Sequence, residues 1–141
     1  MTKEITTIDH EATIAEVAKV MAADPNFEGY VIILKKGKPV GIITERDIVY
    51  EVTAKEIHPS KVKAYKLMST PLITIDPDDD LLKVSELMRE HNVTKLAVVK
   101  ADIIYGVITA KDIAQHVKKY ITRGDQRYSQ MDNASTPLKP Q

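Results

Sequence analysis

The sequence predicts an α/β fold of the α+β type, built from two tandem copies of one β-α-β-β-α unit. Three observations carry this expectation: an internal repeat, the apolar period within each segment, and the turn residues between segments. The stretch from Ile8 to Met21 lies over that from Ile75 to Met88, 67 residues further on. GIITERDI from Gly41 lies over GVITAKDI from Gly106, now 65 residues further on. A repeat of this length marks one supersecondary unit used twice. The change of offset means that the first copy holds two extra residues, expected between Asp24 and Glu28, where Pro25 and the following Gly29 read as loop.

Each element follows from its pattern. Leading strands are expected at Ile5 to Ile8 and Leu72 to Ile75. Ile14, Val17, Ala18 and Met21 fall at i, i+3, i+4 and i+7, as do Leu81, Val84, Ser85 and Met88, so an amphipathic helix follows each strand. Thr13 with Glu16 three residues later reads as a capping box for the first helix. For the second, Asp76-Pro77 followed by Asp78, Asp79 and Asp80 places proline and carboxylates where a helix start favours them. Val31 to Leu34, Val40 to Ile43, Leu96 to Val99 and Tyr105 to Ile108 are short apolar runs rich in β-branched residues, which favours buried strands. The links Lys35 to Pro39 and Lys100 to Ile103 suit antiparallel hairpins. A closing helix is expected from Glu45 and from Ala110, with Ile48, Val49 and Val52, and Ile113, Ala114 and Val117, on the apolar sides. The expected divisions are 1–54 for the first copy, 55–66 for a connector with one helical turn, 67–120 for the second copy, and 121–141 for a polar tail, disordered or extended.

Composition excludes several functions. The chain has 141 residues, 43% of them apolar, which suits one compact body with a sizeable core. Lysine plus arginine equals aspartate plus glutamate at 20 each, so there is no basic surplus for binding nucleic acid through its phosphates. The absence of cysteine rules out disulfides, thiolate metal sites and cysteine nucleophiles. No stretch approaches the ~18 consecutive apolar residues of a membrane span, and the N-terminus lacks a signal-like apolar run, so a cytoplasmic, soluble protein is expected. Histidines 10, 58, 91 and 116 lack zinc-site spacing, and the aspartates at 78 to 80 lack the glycine and glutamate of a calcium loop. No nucleophile, acid or base pattern stands out, so no enzyme activity is expected.

Both copies place a threonine and an aspartate at one junction: Thr44-Glu45-Arg46-Asp47 and Thr109-Ala110-Lys111-Asp112. One reading is a T-x-x-D form of the capping box, in which each residue caps the other's backbone. The other is a ligand site, with exposed amides and a threonine hydroxyl near a phosphate and an aspartate accepting from ribose hydroxyls. Arg46 and Lys111 supply a cation at equivalent positions, which favours the ligand reading.

The doubled G-h-h-T-x-x-D-h motif, the T-I-D start and the spacing of Met88, Val93, Leu96, Val98 and Val99 resemble the cystathionine β-synthase domain, or CBS domain, whose tandem pair is called a Bateman module. The resemblance spans roughly residues 1 to 120 and is matched twice in register. It implies two repeats packed through their sheets with pseudo-twofold symmetry, and two equivalent clefts that bind AMP, ADP, ATP or, in some members, S-adenosylmethionine. It also implies a disc-like homodimer that regulates a protein the sequence does not name. Carried over by position, Asp47 and Asp112 would hold ribose and Thr44 and Thr109 would meet phosphate or ribose. Thr7, Ile8, Ile73 and Thr74 would border adenine. Lys95 falls where members such as the kinase γ subunit often place a phosphate-binding arginine, although a solvated strand-end lysine is the alternative. Its counterpart Tyr30 has no charge, so the clefts are expected to be unequal, with the first perturbed or empty. Copy one begins at Met1, the counterpart of Met68, so its N-terminal edge is expected to be less completely closed. The competing function is a dimerisation or interaction scaffold whose Thr-Asp pairs only cap helices.

Overall fold

A computed structural model describes residues 5–115. Two three-stranded sheets form, each with the same order and sense. In the first, β1 (Thr7–Asp9) runs parallel to β2 (Tyr30–Lys35), which pairs antiparallel with β3 (Lys38–Thr44). In the second, β4 (Thr74–Ile75) runs parallel to β5 (Lys95–Lys100), which pairs antiparallel with β6 (Ile103–Thr109). The ladders even share an irregularity: register shifts between Ile33 and Leu34, and between Val98 and Val99, each opposite one extra residue, Val40 or Tyr105. A β-bulge kept in both copies bends both hairpins alike.

Helix α1 (Ile14–Ala23) crosses from β1 to β2 and buries Ile14, Val17 and Met21, the stripe its period predicts. Its capping box is complete: the Glu16 amide donates to Thr13 Oγ1 at 3.1 Å, and the Thr13 amide donates to Glu16 Oε1 at 2.8 Å. Helix α4 (Leu81–His91) occupies the same place in the second copy and buries Val84 and Met88. Its start corrects the sequence expectation. Asp80 caps it, accepting from the Lys83 amide at 3.0 Å, whereas Asp76 and Asp79 close a separate turn in which their carboxylates accept from the Asp78 and Asp76 amides. Pro77 therefore belongs to that turn and not to the first helical residue. The two extra residues of copy one fall in the six-residue loop 24–29 after α1, where Gly29 has φ 98°; Asn92, with φ 54°, closes the shorter equivalent after α4.

After β3 comes α2 (Glu45–Ile48), which widens into a π-helical turn over Val49–Thr53. Residues 110–115 are helical at the equivalent place. The connector carries a 3₁₀ turn at Pro59–Lys61 and the short α3 (Ala64–Leu67). Met68 and Ser69 then cross the free edge of β3, where Ser69 and Ile42 exchange backbone hydrogen bonds of 2.9 and 3.2 Å. A Cβ on Gly41 would lie 2.6 Å from Met68 Sδ and 2.9 Å from the Ser69 carbonyl, so only glycine admits this crossing. The expected tail, Val117 and the counterpart of Met68 at Met1 lie outside the described residues.

Burial along the central strands has period two on both sides. Val31 and Ile33 face the first core with Ile14, Val17 and Val52, while Leu96 and Val98 face the second with Val84 and Met88. The alternate residues, Tyr30 and Ile32, meet Val107 of the other copy in a third cluster flanked by Ile5, Ile42, Leu72 and Ile104. The two sheets therefore pack on each other through their helix-free faces.

Candidate functional site

Both T-x-x-D segments stand where a third strand ends and a helix begins. The Thr44 amide donates to Asp47 Oδ2 at 2.8 Å and the Asp47 amide donates to Thr44 Oγ1 at 3.2 Å. In the second copy both distances, Thr109 amide to Asp112 Oδ2 and Asp112 amide to Thr109 Oγ1, are 3.0 Å. The reciprocal cap is thus real in both copies. The following amides, of Glu45 and Ala110, donate to the Gly29 and Thr94 carbonyls of the preceding loops at 3.4 and 2.8 Å. Of each first turn, the Arg46 or Lys111 amide is the donor that these contacts do not take up. Asp47 uses one carboxylate oxygen in its cap, as does Asp112.

The remaining predicted residues are distributed unevenly. Tyr30 pairs with Thr44 across the β2–β3 ladder, and Lys95 pairs with Thr109 across β5–β6, so each stands beside its own threonine. Lys95 is half-buried and Lys111 is exposed. Arg46 lies over the Tyr50 ring, 4.4 Å from its centroid, a cation–π stack one turn along its own helix. Thr7 is exposed. Ile8 and Ile73 pack against the first and second cores, so their side chains turn away from the sheet junction and their backbone is what can border a ligand.

Tyr30 joins the two halves. The residue is 7% exposed and packs with Val107. Burial first, then the charges of Glu28 and of Asp112 from the second copy, push its pKa from 10.0 up to about 12. The phenol therefore stays protonated near neutral pH. Sequence reasoning saw Tyr30 as an uncharged replacement for a cation but missed this reach across the junction. It also missed Glu45, whose carboxylate lies 3.9 Å from where a Gly29 Cβ would sit. Among the described residues no group of three metal-ligating side chains stands together, and no helix is long and apolar enough to cross a membrane.

Two sheets packed face to face, with matched Thr-Asp segments beside their junction, define a tandem regulatory pair of β-α-β-β-α domains. The family model described as the CBS domain matches residues 1–54 and 62–119, and the chain belongs to that family. It is 31% identical over 129 residues to an uncharacterised protein of Methanocaldococcus jannaschii and 32% identical over 120 residues to one of Methanopyrus kandleri. The matches take in 83% and 84% of this chain but only 30% and 60% of those relatives, so the chain spans part of their length. Among solved structures it resembles a CBS domain protein of Pyrobaculum aerophilum complexed with AMP, at 26% identity and a TM-score of 0.69, over 79% of this chain and 85% of that one. A hexameric CBS-CP12 protein from bloom-forming cyanobacteria shares the fold at 24% identity and a TM-score of 0.71, over 95% of this chain and 84% of that one.

Proposed function

We propose that this chain is a non-catalytic sensor of adenine nucleotides, AMP, ADP or ATP, with its ligands held at the sheet junction. S-adenosylmethionine is the further candidate. Asp47 and Asp112 accept from ribose hydroxyls through the carboxylate oxygens that their caps leave over. Thr44 and Thr109, the Arg46 and Lys111 segments, and Lys95 face the phosphate, while the backbone at Thr7, Ile8 and Ile73 borders the base. The observation that carries the reading is the same Thr-Asp geometry built twice beside one junction, in a chain resembling a protein solved with AMP. Binding that favours one packing of the two sheets would pass a signal to a partner protein or to a second copy of the chain in a homodimer. The proposed compartment is the cytoplasm.

One observation favours the scaffold reading instead. Both aspartates already cap their helices, and Val49 and Tyr50 on the closing helix of copy one, with Ile57 in the turn that follows it, leave apolar surface exposed. Thermal unfolding with AMP, ADP, ATP, GTP and S-adenosylmethionine separates the two. A ligand at a hundred times its dissociation constant adds about 2.7 kcal/mol, a rise of a few degrees for a domain of this size. A rise with adenine nucleotides and not GTP is expected; no rise with any of them leaves the scaffold.

A further inference from the structure

We infer that Tyr50 sets how strongly the first copy holds a phosphate, by competing with that phosphate for the Arg46 guanidinium; this rests on the nucleotide-sensing reading above. The repeat makes the comparison direct, because residues 65 apart occupy the same place at the end of each third strand and in the helix after it. Arg46 and Lys111 are matched cations inside matched Thr-Asp caps, but Tyr50 corresponds to Gln115. Only the first copy therefore places an aromatic face one turn beyond its cation.

The backbone differs at the same point. Residues 110–115 keep α-helical geometry, whereas in the first copy α2 ends at Ile48 and Val49–Thr53 widen into the π-helical turn. The Ala54 amide donates to the Val49 carbonyl at 2.8 Å and the Ile57 amide to the Val52 carbonyl at 3.0 Å, both five residues back. Such turns are rare and frequently stand at functional sites. Tyr50 sits inside this one, with the Arg46 Cζ 4.4 Å from its ring centroid. Both side chains are exposed, and among the described residues Arg46 forms no ion pair, so the ring is its partner. The stack draws the guanidinium along the helix, away from Thr44 at the helix start.

A phosphate beside Thr44 attracts a guanidinium more strongly than a ring does, because the hydrogen bonds are charge-assisted and can be bidentate. It must nevertheless displace the stack, and an exposed cation–π contact amounts to about a two- to five-fold factor in an equilibrium constant. The ring thus lowers the affinity of the first copy for a phosphorylated ligand and leaves one without phosphate unaffected. Lys111, with Gln115 in the place of the ring, bears no such cost. Tyr50 is therefore a positioning residue that makes the two copies unequal towards phosphate.

Calorimetric titration of the full chain with AMP and with adenosine tests this. Tyr50→Leu, a good helix former at an exposed position, should tighten AMP binding by about two- to five-fold and leave adenosine unchanged. In an Arg46→Met background the same substitution should change neither, because no guanidinium is left to release. AMP affinity that is unchanged or weakened in Tyr50→Leu, an equal gain for adenosine, or a gain that persists without Arg46 would overturn the inference and leave nucleotide sensing intact. Failure of AMP to bind the wild-type chain would remove the nucleotide reading, and this inference with it.

Discussion

Asp112 has two duties that can be separated by experiment. As a cap it receives the Thr109 amide, and loss of such a contact costs about 1 kcal/mol. As a ligand group it would contribute nothing to the stability of the free protein. In urea unfolding, Asp112→Ala should therefore lower the stability of the free chain by about 1 kcal/mol and also abolish the extra stability conferred by ligand at that cleft. A loss of cap energy with the ligand effect intact would assign the residue to capping alone. Tyr30 gives a test that needs no ligand. Its pKa is raised to about 12 in the fold, against about 10 when unfolded, so the folded state favours the neutral phenol. That contribution is fully present below pH 10 and is lost as pH rises towards 12, a loss of about 2–3 kcal/mol. Stability measured across that interval should fall more steeply for the wild type than for Tyr30→Phe, and parallel curves would show that the phenol is not held in this environment.

At the scale of elements, what is local was legible and what is long-range was not. Short apolar runs rich in β-branched residues placed the four hairpin strands within one or two residues, and the 3.6-residue period placed α1 with its capping box. The start of α4 was misplaced because five residues from Asp76 to Asp80 offer four aspartates, each a competent cap; a turn that uses Asp76 and Asp79 leaves the cap to Asp80. The crossing of Met68 over Gly41 and the packing of Tyr30 with Val107 join residues far apart in sequence, for which no periodic signal exists. The T-x-x-D pairs were read for both of their roles, and the cap was the one that local geometry could settle. Turn chemistry shows the same divide. Lys36 and Gly37 have φ of 52° and 78°, the paired positive values of a two-residue hairpin, and the glycine announces them. Ala101 and Asp102 adopt φ of 54° and 65° without any glycine, so the second turn was visible only through the repeat. An alanine held in the left-handed region costs about 1–2 kcal/mol. Ala101→Gly should accordingly raise the urea midpoint, with a gain in stability of up to about 1 kcal/mol once the greater freedom of unfolded glycine is set against the relief. A lowered midpoint would show that the turn is not strained.

At the scale of the whole molecule, the two copies have separate cores and one shared seam, and the proposed site lies beside that seam. Ile14 is fully buried in the core of the first copy, and Ile32 is fully buried in the cluster that joins the sheets. Truncating either leaves a cavity, and Ile→Ala at such sites costs about 2–5 kcal/mol, a large part of the 5–15 kcal/mol by which a domain is stable. Stability alone cannot distinguish the two positions. Ligand affinity can, on the reading that a ligand lies between the two copies, because Ile32 belongs to the cluster that joins them and Ile14 does not. With both variants kept well below their unfolding temperatures, Ile32→Ala should weaken nucleotide binding in calorimetry, whereas Ile14→Ala should bind as the wild type does. Equal affinity in the two variants would mean that each copy presents its ligand groups unaided, and that the pair is joined for a reason other than building the site.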